Sequence, residues 1–160
     1  MFDIKQSFKT GFGFGSTSGV ITTLGLIVGL HSGTNSETAV LGGILIIAIT
    51  DALSDAFGIH LSEELNKKNT KREVWESTIS TFLSKFLVAF TFIIPVLFLP
   101  LFQAIIVSVL WGLVLISFLS FYIAKQQKEN SQKVVLEHLS IAIFVVIIAH
   151  YLGDLVATFD

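Results

Sequence analysis

The stretch AVLGGILIIAITDALSDAFGIHL, residues 39–61, is long and apolar enough to cross a bilayer, yet it carries two aspartates. A helix of about 20 apolar residues spans a hydrocarbon core of roughly 30 Å. The seventeen residues from Ala39 to Asp55 hold no charge other than Asp51 and Asp55. Spaced four apart, these carboxylates share one helical face with Gly58 and Ser62. Charge in such a segment is costly, so an ionisable residue kept there is read first as functional.

The rest of the chain sets the same solvent. Of 160 residues, 52% are hydrophobic and 14% charged, and fifteen are phenylalanine. Mean hydropathy is +0.80. A water-soluble domain of this size cannot hide so much apolar surface. There is no cysteine, which excludes disulfides and thiolate metal sites. A net charge of −2 gives no reason to expect a nucleic-acid partner. We expect no covalently bound cofactor.

Five segments have spanning length, at approximately 11–30, 39–61, 78–99, 102–124 and 135–158. The reading is all-α: one transmembrane domain over residues 1–160, an integral membrane five-helix bundle. The first segment follows Lys5 and Lys9 as a secretory signal would, but its apolar run is long and lacks a small-residue cleavage site, so it reads as an uncleaved helix. Nine of the ten basic residues fall on one side of this topology: Lys5 and Lys9; Lys67, Lys68, Lys71 and Arg72; Lys125, Lys128 and Lys133. The positive-inside rule makes that side cytoplasmic, with the N-terminus inside and the C-terminus outside. The tenth, Lys85, lies within the third segment at about the depth of Asp55. It is the expected charge partner of the aspartates.

In the first segment, Gly11, Gly15, Ser18, Thr22, Gly25 and Gly29 are spaced 4, 3, 4, 3, 4, a continuous stripe of small or hydroxyl side chains. Such a stripe allows close helix packing, and the oxygens of Ser18 and Thr22 can serve a polar path. Elsewhere, His150 and Asp154 are i, i+4 in the outer half of the last segment, either a packing pair or a second polar station. His60, Glu63 and Glu64 form a candidate ligand group at the cytoplasmic mouth. Glu73 and Glu76 could extend it, although a solvated helix end explains all of these equally well. His31 and His138 read as interfacial.

GSTSGVITTLGLIVGL (residues 15–30) resembles the first helix of the vacuolar iron transporter family, whose pattern is approximately G-x-x-D-G-[VIL]-[VI]-T-T-L-G-L-[IV]-x-G. ALSDAFGIHLSEE (residues 52–64) is similar to its A-L-S-M-A-x-G-E-Y-[VL]-S. IPVLFLP (residues 94–100) and AHYLGDL (residues 149–155) are similar to its I-P-L-L-P and T-Y-x-I-G-x-L. The resemblance implies a homodimer of five-helix protomers exporting ferrous or related divalent cations from the cytoplasm in exchange for protons. This chain departs from the pattern at Ser18, where the family has aspartate, at Asp55, where it has methionine, and at Ile59, where it has glutamate. The large cytoplasmic metal-collecting segment is also absent between the second and third helices.

On their own chemistry, two carboxylates on one face suit a hard or borderline divalent ion such as Mn²⁺, Fe²⁺ or Mg²⁺, and they also suit proton carriage. The leading expectation is therefore a non-enzymatic transporter of divalent cations, iron or manganese first, by proton-coupled antiport. It would lie in the plasma membrane of a prokaryote or an organelle membrane of a eukaryote. The alternatives are an intramembrane metal-dependent hydrolase, which needs three ligands around an open position, and a transport-inactive membrane scaffold.

Overall fold

The computed structural model describes residues 6–159; Lys5 lies outside them. The described residues form helices α1 (Gln6–Thr34), α2 (Glu37–Leu65), α3 (Lys71–Thr91), α4 (Ile93–Phe98), α5 (Leu101–Gln127) and α6 (Ser131–Ala157), with no strand among them. Five spans are long and apolar enough to cross a membrane, α3 and α4 together supplying the third. The architecture is consistent with an integral membrane protein.

Most helices run past the apolar segments read from sequence, because polar caps extend their ends. Thr70 and Glu73 form a reciprocal capping box that starts α3 at Lys71, seven residues before the expected 78. Ser36 accepts from the Ala39 amide at 3.2 Å to start α2, and Asn130 accepts from the Gln132 and Lys133 amides to start α6. Lys128 ends α5 in the left-handed region, at φ 58°. The third span is also interrupted, which its hydropathy does not reveal. Pro95 has no N–H for the Thr91 carbonyl and its ring crowds that oxygen. The helix breaks one turn earlier, at Phe92, whose amide bonds to the Ala89 carbonyl at 3.1 Å.

α1 is the hub, packing against α2, α3, α5 and α6. Its contacts differ along its length. At the lysine-rich end, Gly11, Gly15 and Gly19 form a row that meets Ser77, Ser80, Thr81, Ser84 and the Lys85 backbone on α3. Two helices lined by small residues approach until backbone meets backbone. Toward the other end, Gly25, Gly29 and Gly33 meet Val145, Ala149 and Gly153 on α6. The stripe expected to be continuous is thus divided between two neighbours, and Gly19 and Gly33 belong to it as well. The half against α3 is buried, whereas Gly25, Gly29 and Gly33 against α6 stay partly exposed.

The buried apolar core lies mostly toward the lysine-poor end, where Leu24, Ile27, Ile44, Phe92, Val96 and Ala104 are in one cluster. Outward faces are apolar: Ile46, Phe57, Phe118 and Phe144 are each more than 60% exposed, the surface expected of helices facing hydrocarbon. α6 is the least enclosed span, burying only Ala142 and Gly153.

The glycine rows make a direct prediction. A Cβ on Gly15 would collide with Ser84 Oγ and the Thr81 carbonyl, whereas one on Gly42 meets nothing within 4 Å. Gly15→Leu should lower stability by about 3 kcal/mol, the upper part of the usual range for overpacking. Gly42→Ala should be neutral or stabilising by up to about 1 kcal/mol. Thermal melts in mild detergent check both; equal melting temperatures for Gly15→Leu and the parent would show that this contact is not tight.

Candidate functional site

Lys85 is the one charged residue among the fully buried side chains of the described residues, with 1% of its surface accessible. It stands at the middle of the third span, and its stem crosses toward the middles of α1 and α2. Gly19 makes this possible: α1 lies so close that a Cβ there would sit 3.2 Å from the Lys85 carbonyl oxygen. The ammonium reaches three oxygens. It donates to Asp55 Oδ2 and to Ser18 Oγ at 2.9 Å, and it lies 2.5 Å from Asp51 Oδ2. Ser18 in turn donates to Asp55 Oδ2 at 2.6 Å.

The two carboxylates are not equivalent. Asp55 is held by hydrogen bonds from Lys85 and Ser18, so α1, α2 and α3 meet on its Oδ2. Asp51 Oδ2 is buried and forms an ion pair with the ammonium, but unlike Asp55 it receives nothing from Ser18. Both side chains remain partly accessible, at 29% for Asp51 and 21% for Asp55. The open side is that of Gly58, where an added Cβ would meet nothing within 4 Å. One ammonium faces two carboxylates, so the cluster carries one net negative charge when all three are ionised.

The other candidate residues are distributed differently. Thr22 spends its hydroxyl on the Ser18 carbonyl, 2.9 Å away, within its own helix. His60 does not converge with Glu63 and Glu64. Its Nδ1 lies 2.9 Å from Thr78 Oγ1, and its ring meets the edge of Trp75 at 4.8 Å. Glu63 instead accepts from Asn69 Nδ2 at 2.6 Å to close the loop, and Glu64 is exposed. Glu73 belongs to the capping box, while Glu76 accepts from Ser7 and pairs with Arg72. These acidic residues order the ends of the helices, and the expected mouth group is not assembled. Among the described residues, no three His, Asp or Glu side chains are grouped as metal ligands.

At the lysine-poor end His150 has partners on two helices. Its Nδ1 meets Ser32 Oγ on α1, and its Nε2 lies 3.5 Å from Asp154 Oδ2 on α6. The imidazole thus bridges a hydroxyl and a carboxylate, an arrangement that can pass a proton from one ring nitrogen to the other. Ser32 was not legible as a partner, because only the packing of Gly29 and Gly33 on α6 brings it there. His138 Nδ1 pairs with Ser120 Oγ at 2.8 Å, a link between α5 and α6. His31 lies against the Phe102 ring at 6.5 Å.

Comparison of the chain with family models, with curated proteins and with solved structures gives no match.

The central cluster predicts an asymmetric response to mutation. Lys85→Met leaves two carboxylates without their cation, and breaking a buried pair in this way costs about 3–5 kcal/mol. Adding Asp55→Asn to Lys85→Met should recover a large part of the loss, because less uncompensated charge remains. A double-mutant cycle measured by thermal or denaturant unfolding in detergent checks this. Additive losses would show that Lys85 and Asp55 are not coupled.

Proposed function

We propose that the protein is a membrane transporter for divalent metal cations, iron or manganese, that exchanges them for protons at the Asp51–Asp55–Lys85 cluster. In this reading the lysine-rich end is cytoplasmic, as the distribution of basic residues favours. The observation that carries it is the fully buried lysine between two carboxylates, halfway along three spans. A buried ion pair adds little net stability compared with an apolar side chain of the same size. Ionisable groups inside a span therefore point to the movement of ions or protons.

The donor set fits a hard or borderline cation. Asp51, Asp55 and Ser18 offer oxygen ligands from one small region, and the open side at Gly58 leaves room for water to complete the shell. Charge also closes. With the ammonium present and one carboxylate protonated, the cluster is neutral. With a divalent cation, two carboxylates and an uncharged lysine, it is neutral again. The exchange that preserves neutrality is one divalent cation for two protons, one from Lys85 and one from a carboxylate. Ser32, His150 and Asp154 provide a second polar station near the lysine-poor end. The protein would act as a homodimer, as the resemblance implies.

Reconstitution tests the reading. Proteoliposomes should take up Fe²⁺ or Mn²⁺ above protein-free vesicles while protons leave, so that the lumen becomes more alkaline. Asp51→Asn and Asp55→Asn should reduce flux at least tenfold, with melting behaviour that shows a folded protein. Lys85→Arg, which keeps a permanent cation in place, should block it, because guanidinium does not give up its proton. No flux of Fe²⁺, Mn²⁺, Zn²⁺, Mg²⁺ or Ca²⁺ above background would exclude the proposal.

A further inference from the structure

At the lysine-rich end, α1 and α5 diverge and leave a groove of about 620 Å³. They close again farther along, where Leu24 packs onto Gly112. The groove wall is aromatic, with Phe8, Phe12, Phe14, Phe118 and Tyr122 facing it. Its polar groups are gathered at the helix ends. Lys9 Nζ donates to Gln126 Oε1 at 3.3 Å, and Gln126 Nε2 donates to Tyr122 Oη at 2.8 Å. Among the described residues Lys9 is the one charged residue in the lining, which contains no carboxylate.

We propose that this groove binds an anionic phospholipid, with its phosphate at Lys9 and an acyl chain against the phenylalanines. The proposal rests on the membrane placement of the helices and not on transport. Three properties select this occupant. The groove follows about eight residues of α1, roughly 12 Å, close to the depth of one leaflet's hydrocarbon. Its polarity runs from a hydrogen-bonding end to a hydrocarbon end, as in a phospholipid. The single uncompensated positive charge lies at headgroup level, where a lysine strengthens attraction to anionic lipid about fivefold. A second copy of the chain would offer an apolar helix to the wall, but it gives no reason for the Lys9–Gln126–Tyr122 chain at the mouth.

Gly13 supplies a specific probe. It lines the groove, and a Cβ there meets only Ile123 Cδ1, at 3.8 Å. Gly13→Leu should therefore fold and fill the space with its own side chain. Purified protein equilibrated with equal amounts of phosphatidylglycerol and phosphatidylcholine of the same chain length is examined by native mass spectrometry. The parent should retain one tightly held lipid, with phosphatidylglycerol favoured about fivefold. Lys9→Ala should bring that preference to parity, and Gly13→Leu should lose the tightly held lipid of either type. Lys125→Ala removes a lysine at the same end that lies over Phe121, outside the groove, and should keep the preference. Parity in the parent, preference persisting in Lys9→Ala, or retention in Gly13→Leu would each overturn the proposal. So would a dimer that Gly13→Leu dissociates.

Discussion

Taking an ammonium out of water costs several kcal/mol even after the surroundings relax, and Lys85 is almost wholly removed from water. The three helices around it are arranged to offset that cost. α2 supplies two carboxylates, α1 supplies a hydroxyl that both accepts from the lysine and donates to Asp55, and α3 carries the lysine itself. Each partner must lie within hydrogen-bonding reach of one nitrogen atom, so the cluster sets the separation and register of three spans together. Glycines at 11, 15 and 19 are the means: without side chains there, α1 comes near enough to α3 for Ser18 to join the cluster.

The two ends of the bundle are held by different forces. Toward the lysine-poor end, branched and aromatic side chains of α1, α2, α4 and α5 pack as an apolar core. Toward the lysine-rich end, α1 and α3 meet through glycine, serine and threonine. Ser77 and Ser80 donate to the carbonyls of Ser7 and Phe8 across the interface. Inside hydrocarbon there is little hydrophobic gain from joining two helices, so close contact and interhelical hydrogen bonds are what remain to hold them. The ionic cluster sits where one kind of packing gives way to the other.

Much of the fold was legible because a bilayer leaves few alternatives: long apolar segments must be helices, and their number and order follow. The pairing of Lys85 with Asp55 was legible from depth alone, since the second and third spans run in opposite directions. That Lys85 also reaches Ser18 was not, because this depends on how closely α1 approaches. The glycine stripe shows the limit. Its spacing identified a face able to pack closely but could not say that α3 takes one half and α6 the other. Gly19 was passed over, although it extends the four-residue repeat of Gly11 and Gly15 that follows one packing ridge. For the acidic residues near His60 the sequence left a ligand group and a solvated helix end open together. Carboxylates at helix ends are drawn to free amides and to nearby lysine, arginine and asparagine side chains, and Glu63, Glu73 and Glu76 all found such partners.

The ammonium of Lys85 is a cation on a leash. Its flexible four-carbon stem is anchored in α3, so it cannot diffuse away from Asp51 and Asp55, and its local concentration is on the order of millimolar or higher. Any free ion arriving between these carboxylates meets a competitor that never leaves the neighbourhood. Residence there is shortened accordingly, since the tether returns as soon as the visitor loosens its hold. The tether therefore sets a fixed rival for any cation that approaches the two carboxylates.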